Sequence, residues 1–389
     1  MDQDDMHADG CDVVVRIPVE PVEAAVEADA RDAAVHNGTL AVRGPLFGVA
    51  AQGAGDGRRW RVVVEVTQGC PQEARDALNS LLWFRAKDEA GDRAERRALL
   101  AAVARLERER VDELTVLGTR FRVVRAEEYA GMNVHGDIET PRPTDPEPPV
   151  PDWSRAARGP RVDEGLVLDP DAPLSPALAA ERLALRSLVY TGARFPHRVL
   201  RDSEHARASH PDVLLLPALF RVVERSGGGA WTPGSGLHAS AHDARRTLDF
   251  ALVWWQPRSR GLIPEASAED FLAQRDARTL VAEGTGSSVA ELALYAEAAD
   301  RLRAERLNQV EVHGTTSRIG RTRRLVRWGP DGPEGPRPSD VENHAPSAMH
   351  PPLDEDGNVL PEEPGEEDEA YEAGPGDVED RGDPEDAVS

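Results

Sequence analysis

Two fifteen-residue stretches of this chain are variants of one another. Arg105 to Thr119 reads RLERERVDELTVLGT and Arg301 to Thr315 reads RLRAERLNQVEVHGT, identical at 7 of 15 positions. Average residue usage gives about one or two matches by chance. Self-similarity fixes the folding unit before any single residue is interpreted, because each copy has to form the same supersecondary element. The repeat predicts two copies of one module. The length of 389 residues agrees, being too great for one ordinary core and suited to two domains of roughly 100 to 150 residues plus a tail.

In the first copy the spacing predicts a helix over Pro21 to Val35, with Val22, Ala25, Val26 and Ala33 apolar and a stop at Asn37 and Gly38. Thr39 to Ala51 and Trp60 to Thr67 are rich in β-branched and aromatic residues and flank QGAGDG, which predicts a hairpin. Two helices follow, Pro71 to Lys87 and Asp92 to Arg110, and then a second hairpin, Leu114 to Leu117 and Phe121 to Arg125, across Gly118 and Thr119. The second copy repeats the order. A helix starts at Ser175 and Pro176, and strands are expected over Val213 to Val223 (with LFRV where the first copy has LFGV) and over Leu248 to Trp255 (LDFALVWW). Helices are expected over Ser267 to Leu280 and Ser288 to Leu307, the latter opened by a Ser288/Glu291 capping box, before a final hairpin of Val310 to Val312 and Arg324 to Trp328. Each copy closes on a similar segment, PRPTD at Pro141 to Asp145 and PRPSD at Pro336 to Asp340.

The fold class expected is therefore α+β: two tandem related modules, each an antiparallel sheet of two hairpins covered by helices. Their spans are 13–145 and 173–340, joined by a Pro-rich linker, 146–172, that reads as a spacer without regular structure. The LFGV hairpin, the RLERERVDELTVLGTRFRVVR unit and the PRPTD ending resemble an uncharacterised family of actinobacterial, Streptomyces-type proteins, a domain of unknown function. That resemblance implies no catalytic or binding residue.

The formal charge is -24, from 70 acidic and 46 basic residues. From Val341 onward there are 17 acids and one base, Arg381, so 16 of the 24 net negative charges sit in this last segment and the body is only mildly acidic. Such a stretch, rich in Pro, Gly, Glu and Asp, buries too little to offset its entropy, so 341–389 is expected to be a disordered acidic tail. Lys87 is the single lysine; the other basic residues are arginines interleaved with acids, as in DRAERR. That pattern describes a solvated helix face better than a phosphate-binding one and disfavours direct nucleic-acid binding. Cys11 and Cys70 form no metal or redox spacing, and the acidic start MDQDDMHADGCD has no apolar core. With no apolar run long enough to span a bilayer, the expected setting is the cytoplasm, without membrane attachment.

From the LFGV valine to the next strand centre is 13 residues in the first copy (Val49 to Val62) and 28 in the second (Val222 to Phe250), a gain of 15. The addition lies within 224–246, which contains Trp231, Ser235, His238, His242 and Asp243. Long irregular loops on a rigid sheet are common binding elements, so Trp231, His238, His242 and Asp243 are the candidate binding residues. His238 and His242 have the spacing of a helical metal pair, but no HExxH glutamate or third ligand accompanies them. No metal, cofactor or catalytic residue is expected. GTGSS at Gly284 to Ser288 reads as a helix cap rather than an anion cradle. Ser235 lacks the strand and helix of a nucleophile elbow. Cys70 reads as a small buried cap. Trp254 and Trp255, if on a strand, must face opposite ways. These readings point to a non-enzymatic interaction or regulatory protein with a protein partner. The alternatives are a small-ligand protein or enzyme with a site between the modules near 224–246, and a nucleic-acid mimic acting through the tail.

Overall fold

The structure, a computed structural model, describes residues 13–264, 275–284 and 288–360. One curled antiparallel sheet organises them. The alternating segments of the N-terminal half become β1 (Thr39–Gln52) and β2 (Trp60–Gln68), paired with Val49 opposite Val64 and Ala50 opposite Val62. On the other side of β1, β3 (Glu113–Val116) and β4 (Thr119–Met132) form a tight hairpin across Leu117 and Gly118. Both turn residues have positive φ, the geometry whose twist matches a two-residue hairpin. Helix α1 (Pro21–His36) precedes the sheet; α2 (Pro71–Phe84), a π-helical turn (Arg85–Glu89) and α3 (Arg93–Leu106) cover it. Leu78 and Leu82 of α2 and Leu99 and Val103 of α3 bury against Phe47, Val49, Phe121 and Val123. Asp92 fixes the start of α3 by accepting the N–H groups of Ala94 and Glu95.

The C-terminal half begins with β5 (Val167–Leu168), which adds to β2. It continues with α4 (Pro176–Leu185), α5 (His197–Ser209), β6 (Asp212–Leu215), β7 (Leu219–Ser226) and β8 (Thr232–Pro233). Next come α6 (Ala241–Phe250), a second π-helical turn (Ala251–Trp255), α7 (Gln256–Ser259), α8 (Ala277–Glu283) and α9 (Val289–Glu305). It ends with the hairpin of β9 (Gln309–Val312) and β10 (Thr315–Gly329) and a short β11 (Gly332–Pro333). The β9–β10 turn, His313 and Gly314, repeats the two positive φ values.

The halves meet where β4 and β10 cross. Their pairing runs only from Ala126–Val326 through Glu127–Leu325 and Glu128–Arg324 to Tyr129–Arg323. Glu128 and Arg324 each stand nine residues after the threonine that opens their strand, so the pairing is symmetric about that one pair of positions. Beyond the crossing each strand hands on to a strap that runs over the opposite half. After β4, the Arg321 N–H on β10 donates to Glu139 O (2.7 Å) and the Arg321 side chain pairs with Asp145 (2.9 Å). After β10, the Arg125 N–H on β4 donates to Glu334 O (2.9 Å) and the Arg125 side chain pairs with Asp340 (2.9 Å). Within the straps Arg142 pairs with Glu139 and Arg337 with Glu334. Asp29 of α1 accepts the Thr144 N–H (3.1 Å), and Asp202 of α5 accepts the Ser339 N–H (2.8 Å). Farther on, Glu147 pairs with Arg245 of α6 (2.5 Å) and Glu342 with Arg75 of α2 (2.7 Å).

Several expectations need correction. The stretch after Asp145 is not a free spacer: Glu147, Asp152, Trp153 and Arg155 are held against the α6 region, and Asp163 takes the buried Arg324 guanidinium (2.6 and 2.7 Å). Nor does disorder begin at Val341. Residues 341–360 lie along α2 and α3, with His350 stacked on Trp83, the Trp83 Nε1–H donating to Pro351 O, and Arg93 paired with Glu355 and Asp356. Proline explains both results. It removes sheet donors, so no regular element forms, yet it lowers the chain entropy lost on docking, so a few side-chain anchors suffice.

LDFALVWW is helical, spanning the end of α6 and its π-helical turn. Ser240 caps α6 by accepting the Asp243 N–H, and Ala241, Ala244, Leu248 and Leu252 form its buried stripe. An apolar run too short to show a period reads equally well as strand or helix. The partner of β7 is instead the stretch 232–238, through Glu224–Thr232, Val223–Pro233 and the Phe220–His238 bridge. Residues 224–246 are thus a hairpin return and a helix start, not a 15-residue insertion. The strand expected over Val213 to Val223 breaks around Pro217 into β6 and β7, Ser288 makes no side-chain cap, and α5 was not foreseen. The helix expected over Ser267 to Leu280 lies outside the described residues except for the start of α8. Residues 285–287 of the GTGSS segment, residues 1–12 with Cys11, and 361–389 of the expected tail also lie outside them.

Truncating one partner of a buried ion pair leaves the other charge uncompensated, at a cost of roughly 3–5 kcal/mol. Asp340→Asn and Asp145→Asn are each expected to lose about 3 kcal/mol in urea denaturation. Equal losses from Glu355→Gln, an exposed partner of Arg93, would show that the strap aspartates have no special weight.

Candidate functional site

The four sequence candidates do not converge on one point. Trp231 is half-buried on the sheet side: its Nε1–H donates to Gly136 O (2.9 Å), and the Arg225 guanidinium lies 4.3 Å from its ring centre. His238 exchanges both backbone hydrogen bonds with Phe220 (2.8 and 2.9 Å). Its Nε2 is buried and has no partner among the described residues. Burial lowers the His238 pKa, with Asp243 opposing this only in part. His242 is buried, with Nε2 2.9 Å from Asp152 O and its ring edge-on to Trp153. Asp243 accepts from the Ser240 hydroxyl (2.6 Å) and pairs with Arg246 (2.9 Å). The Gly159 backbone lies so close that a Cβ there would be 2.0 Å from Asp243 Oδ2. His242 and Asp243 therefore hold the start of α6 against the crossing strap, while His238 is bound to β7 and Trp231 stands apart.

The remaining candidates are also accounted for by packing. The Ser235 hydroxyl accepts the Val222 N–H and donates to Gly236 O. Cys70 is buried at the start of α2. Trp254 is buried and Trp255 is 60 % exposed, but on a π-helical turn rather than a strand, so helical rotation and not strand alternation separates them. Among the described residues, no three His, Cys, Asp or Glu side chains gather as a metal would need, and no helix is long and apolar enough to cross a membrane.

Several cavities among the described residues have room for a small molecule, two of them of about 640 and 820 Å³. One, of about 820 Å³, lies beside the predicted His242, between the strap and α6, and is lined by Trp153, Arg155, Asp249, Phe250 and Arg303. Its charges are held in ion pairs: Asp249 takes both Arg278 and Arg303, Arg155 pairs with Asp276, and Arg246 pairs with Asp243. The other, of about 640 Å³, is a cleft between α1 and α4 over the place where β4 and β10 separate. Its walls are the small residues of the two helices, and its floor carries Tyr129, Thr322, Arg321 and Arg323. The Tyr129 hydroxyl and the Arg323 guanidinium both donate to Glu181 of α4 (2.7 Å each). Burial raises the Tyr129 pKa well above its ordinary value, and the Glu181 carboxylate adds to this. The phenol therefore stays protonated as a donor. Burial lowers the Arg321 pKa, and the nearby Arg323 and Arg142 charges add to the effect against Asp145.

Sequence reading did not find this cleft. Its signal is faint: Ala30, Ala33 and Ala34, and Ala177, Ala180 and Ala184, recur at helical spacing but read first as good helix formers. Comparison with known proteins adds a family and no activity. Residues 20–343 match a model described as a family of unknown function, DUF5954. No curated protein and no solved structure matches.

A histidine whose native pKa is depressed contributes stability that is present above its unfolded pKa of roughly 6.5 and lost as pH falls through the lower native value. The wild type should therefore lose stability between about pH 7 and 5. His238→Phe, which retains a buried ring, should lose less over the same interval in urea titrations at the two pH values. An unchanged difference would show that His238 does not titrate with unfolding.

Proposed function

We propose, from the premise that this chain belongs to the DUF5954 family, that it is a non-enzymatic interaction or regulatory protein that engages a protein partner through its N-terminal arm and α1. One observation carries this reading. Eight of the twenty exposed large apolar side chains among the described residues lie between Val14 and Leu40, including Ile17 (74 % exposed), Val19 (82 %), Val22 (75 %) and Val35 (82 %). Single exposed apolar residues are ordinary, whereas a concentration in one short stretch marks a surface that another molecule covers. The arm is also held in place for such a role: Val15 bridges to Leu174, and Glu27, the buried residue of α1, accepts the Ala177 N–H at the start of α4.

The same reading takes the two halves as tandem copies of one unit. It is supported by the matched strap contacts of Arg125 and Arg321, the matched aspartates Asp29 and Asp202, and the two π-helical turns. The cytoplasm is the setting we assign, and the arginine-for-lysine bias fits the GC-rich genome of an actinobacterium.

Val22→Asp/Val26→Asp tests the reading, because both residues are exposed and the double variant should keep the wild-type melting temperature. Immobilised wild-type protein, with and without residues 361–389, should retain a stoichiometric partner from extracts of the source organism, and the double variant should lose it. Retention of the same proteins by both forms, or of none by the wild type, would sink the proposal.

A further inference from the structure

Helices α2 and α6 present comparable faces that the chain covers to different extents. Counted from their N-caps, Cys70 and Ser240, Arg75 and Arg245 each stand five residues on, and each pairs with a strap glutamate, Glu342 or Glu147. Asp76 and Arg246 come next, and Ser80 and Phe250 follow one turn later. Over α2 the chain itself covers this face: His344 Nε2 lies 2.7 Å from Asp76, His350 Nε2 lies 2.9 Å from Ser80, and the strap runs on to Arg93. Over α6 the last strap residue to line the face is Ala157, and by Asp163 the chain is bound to Arg324. The space of about 820 Å³ lies there, against Arg246 and Phe250.

Two properties of this cavity select its occupant. The first is aromatic: Trp153 lines it from the strap, and Phe250 and Trp255 line it from the end of α6 and its π-helical turn. The Phe250 and Trp255 rings meet at 88°, centres 6.2 Å apart, and Trp255 keeps 60 % of its surface exposed. Guanidinium planes already stack within the wall, Arg155 on Phe250 (4.9 Å) and Arg303 on Trp153 (5.4 Å). The second property is neutrality. Arg155, Arg246, Arg278 and Arg303 are answered by Asp276, Asp243, Asp249 and Asp300, four charges against four, so the cavity does not select an ion. A guanidinium nevertheless has five N–H donors. The carboxylates use only Nε and Nη2 of Arg278 and Arg303 and Nη2 of Arg155. The three side chains are 22–36 % exposed, and none of the Nη1 groups is sealed off.

We propose that this cavity binds an uncharged, planar heteroaromatic molecule, its ring stacked on Trp255 and its nitrogen or carbonyl acceptors met by the Nη1–H groups of Arg155, Arg278 and Arg303. A saturated apolar ligand leaves the stacking face and the donors unmatched, and an ion finds its countercharge already taken. No residue of α1 lines the cavity. The site therefore stands or falls independently of the partner reading.

Riboflavin tests the proposal, because its ring is uncharged and planar, carries several acceptors and loses fluorescence when stacked on indole. Titrating the full chain into trace riboflavin should quench it with a Kd on the order of 10 µM, within reach of a ligand of that size. Flavin mononucleotide, with the same ring and an added phosphate, should bind within about threefold of riboflavin, a difference of well under one tenfold step. Adamantanol, uncharged and apolar but not planar, should not displace riboflavin. Trp255→Ala should weaken binding at least tenfold, as loss of a stacking partner does, and Trp255→Phe should recover most of that loss. Both should keep the wild-type melting temperature, since the side chain is largely exposed. Arg303→Met, which leaves Asp249 paired with Arg278, should weaken binding about threefold and gives a second variant at a different wall. Phe84→Ala, which removes an exposed ring from the N-terminal half, should bind as the wild type does. The proposal is overturned by absence of quenching at about 0.3 mM protein, roughly thirtyfold above the expected Kd, or by displacement with adamantanol. It is equally overturned if flavin mononucleotide binds at least tenfold more tightly than riboflavin, or if Trp255→Ala costs no more than Phe84→Ala.

Discussion

Everything in this structure hangs on two buried arginine–aspartate pairs, Arg125 with Asp340 and Arg321 with Asp145. Each joins the middle of a long strand in one half to a proline-rich strap issuing from the other. The side chains are nearly inaccessible, 2 % and 5 % exposed in the first pair and 7 % and 9 % in the second. Desolvating such charges is expensive, and it is repaid only where geometry is good and the remaining hydrogen-bonding capacity is met. Both conditions hold. Asp340 also accepts the Arg337 N–H, and Asp145 the Arg142 N–H. Arg125 also meets Glu127, where burial works to raise the carboxyl pKa and the Arg125 and Arg337 charges overcome it. The carboxylate therefore stays ionised within the network.

This construction gives the arginine bias a physical use. A planar guanidinium can serve a strand carbonyl and a carboxylate in the same plane, which an ammonium cannot. Arg324 does so, donating to Val66 O and to both oxygens of Asp163 while wholly buried. Its partner across the crossing is Glu128, which is met by Arg221 and Arg43. The crossing thus sets opposite charges side by side. Arg221 replaces the glycine of the first LFGV, where Gly48 admits β2 so closely that a Cβ would lie 2.7 Å from Val64 O. In the C-terminal half Arg221 instead reaches Glu128 and the Ser235 carbonyl of the stretch that pairs with β7.

How far the sequence discloses this varies with the range of the interactions involved. The Gly-Thr hairpins and the Ser175 cap are legible because their causes lie within a few residues. LDFALVWW was misread because its few apolar residues carry no clear period, and the serine that caps its helix stands eight residues before the run begins. That one error relocated the supposed difference between the halves to 224–246. The segments PRPTD and PRPSD are visible as a recurring ending, but nothing local says that each binds the strand of the other half. The cleft was hidden for a similar reason: α1, α4 and the two strands are brought together only by the crossing, and alanine announces a helix without announcing what it faces.

The crossing of the straps constrains how the chain can be made. The surface of α2 that receives Glu342, His350 and Pro351 is synthesised some 270 residues before those partners exist. During that interval the face of Trp83 on which His350 stacks stays open, although Arg75 has Asp112 and Gln72 as nearer partners. Contacts of such long sequence separation are slow to form and leave apolar surface open meanwhile. The N-terminal half therefore gains these contacts only after residues 342–351 have emerged, so both ends of the fold are completed together.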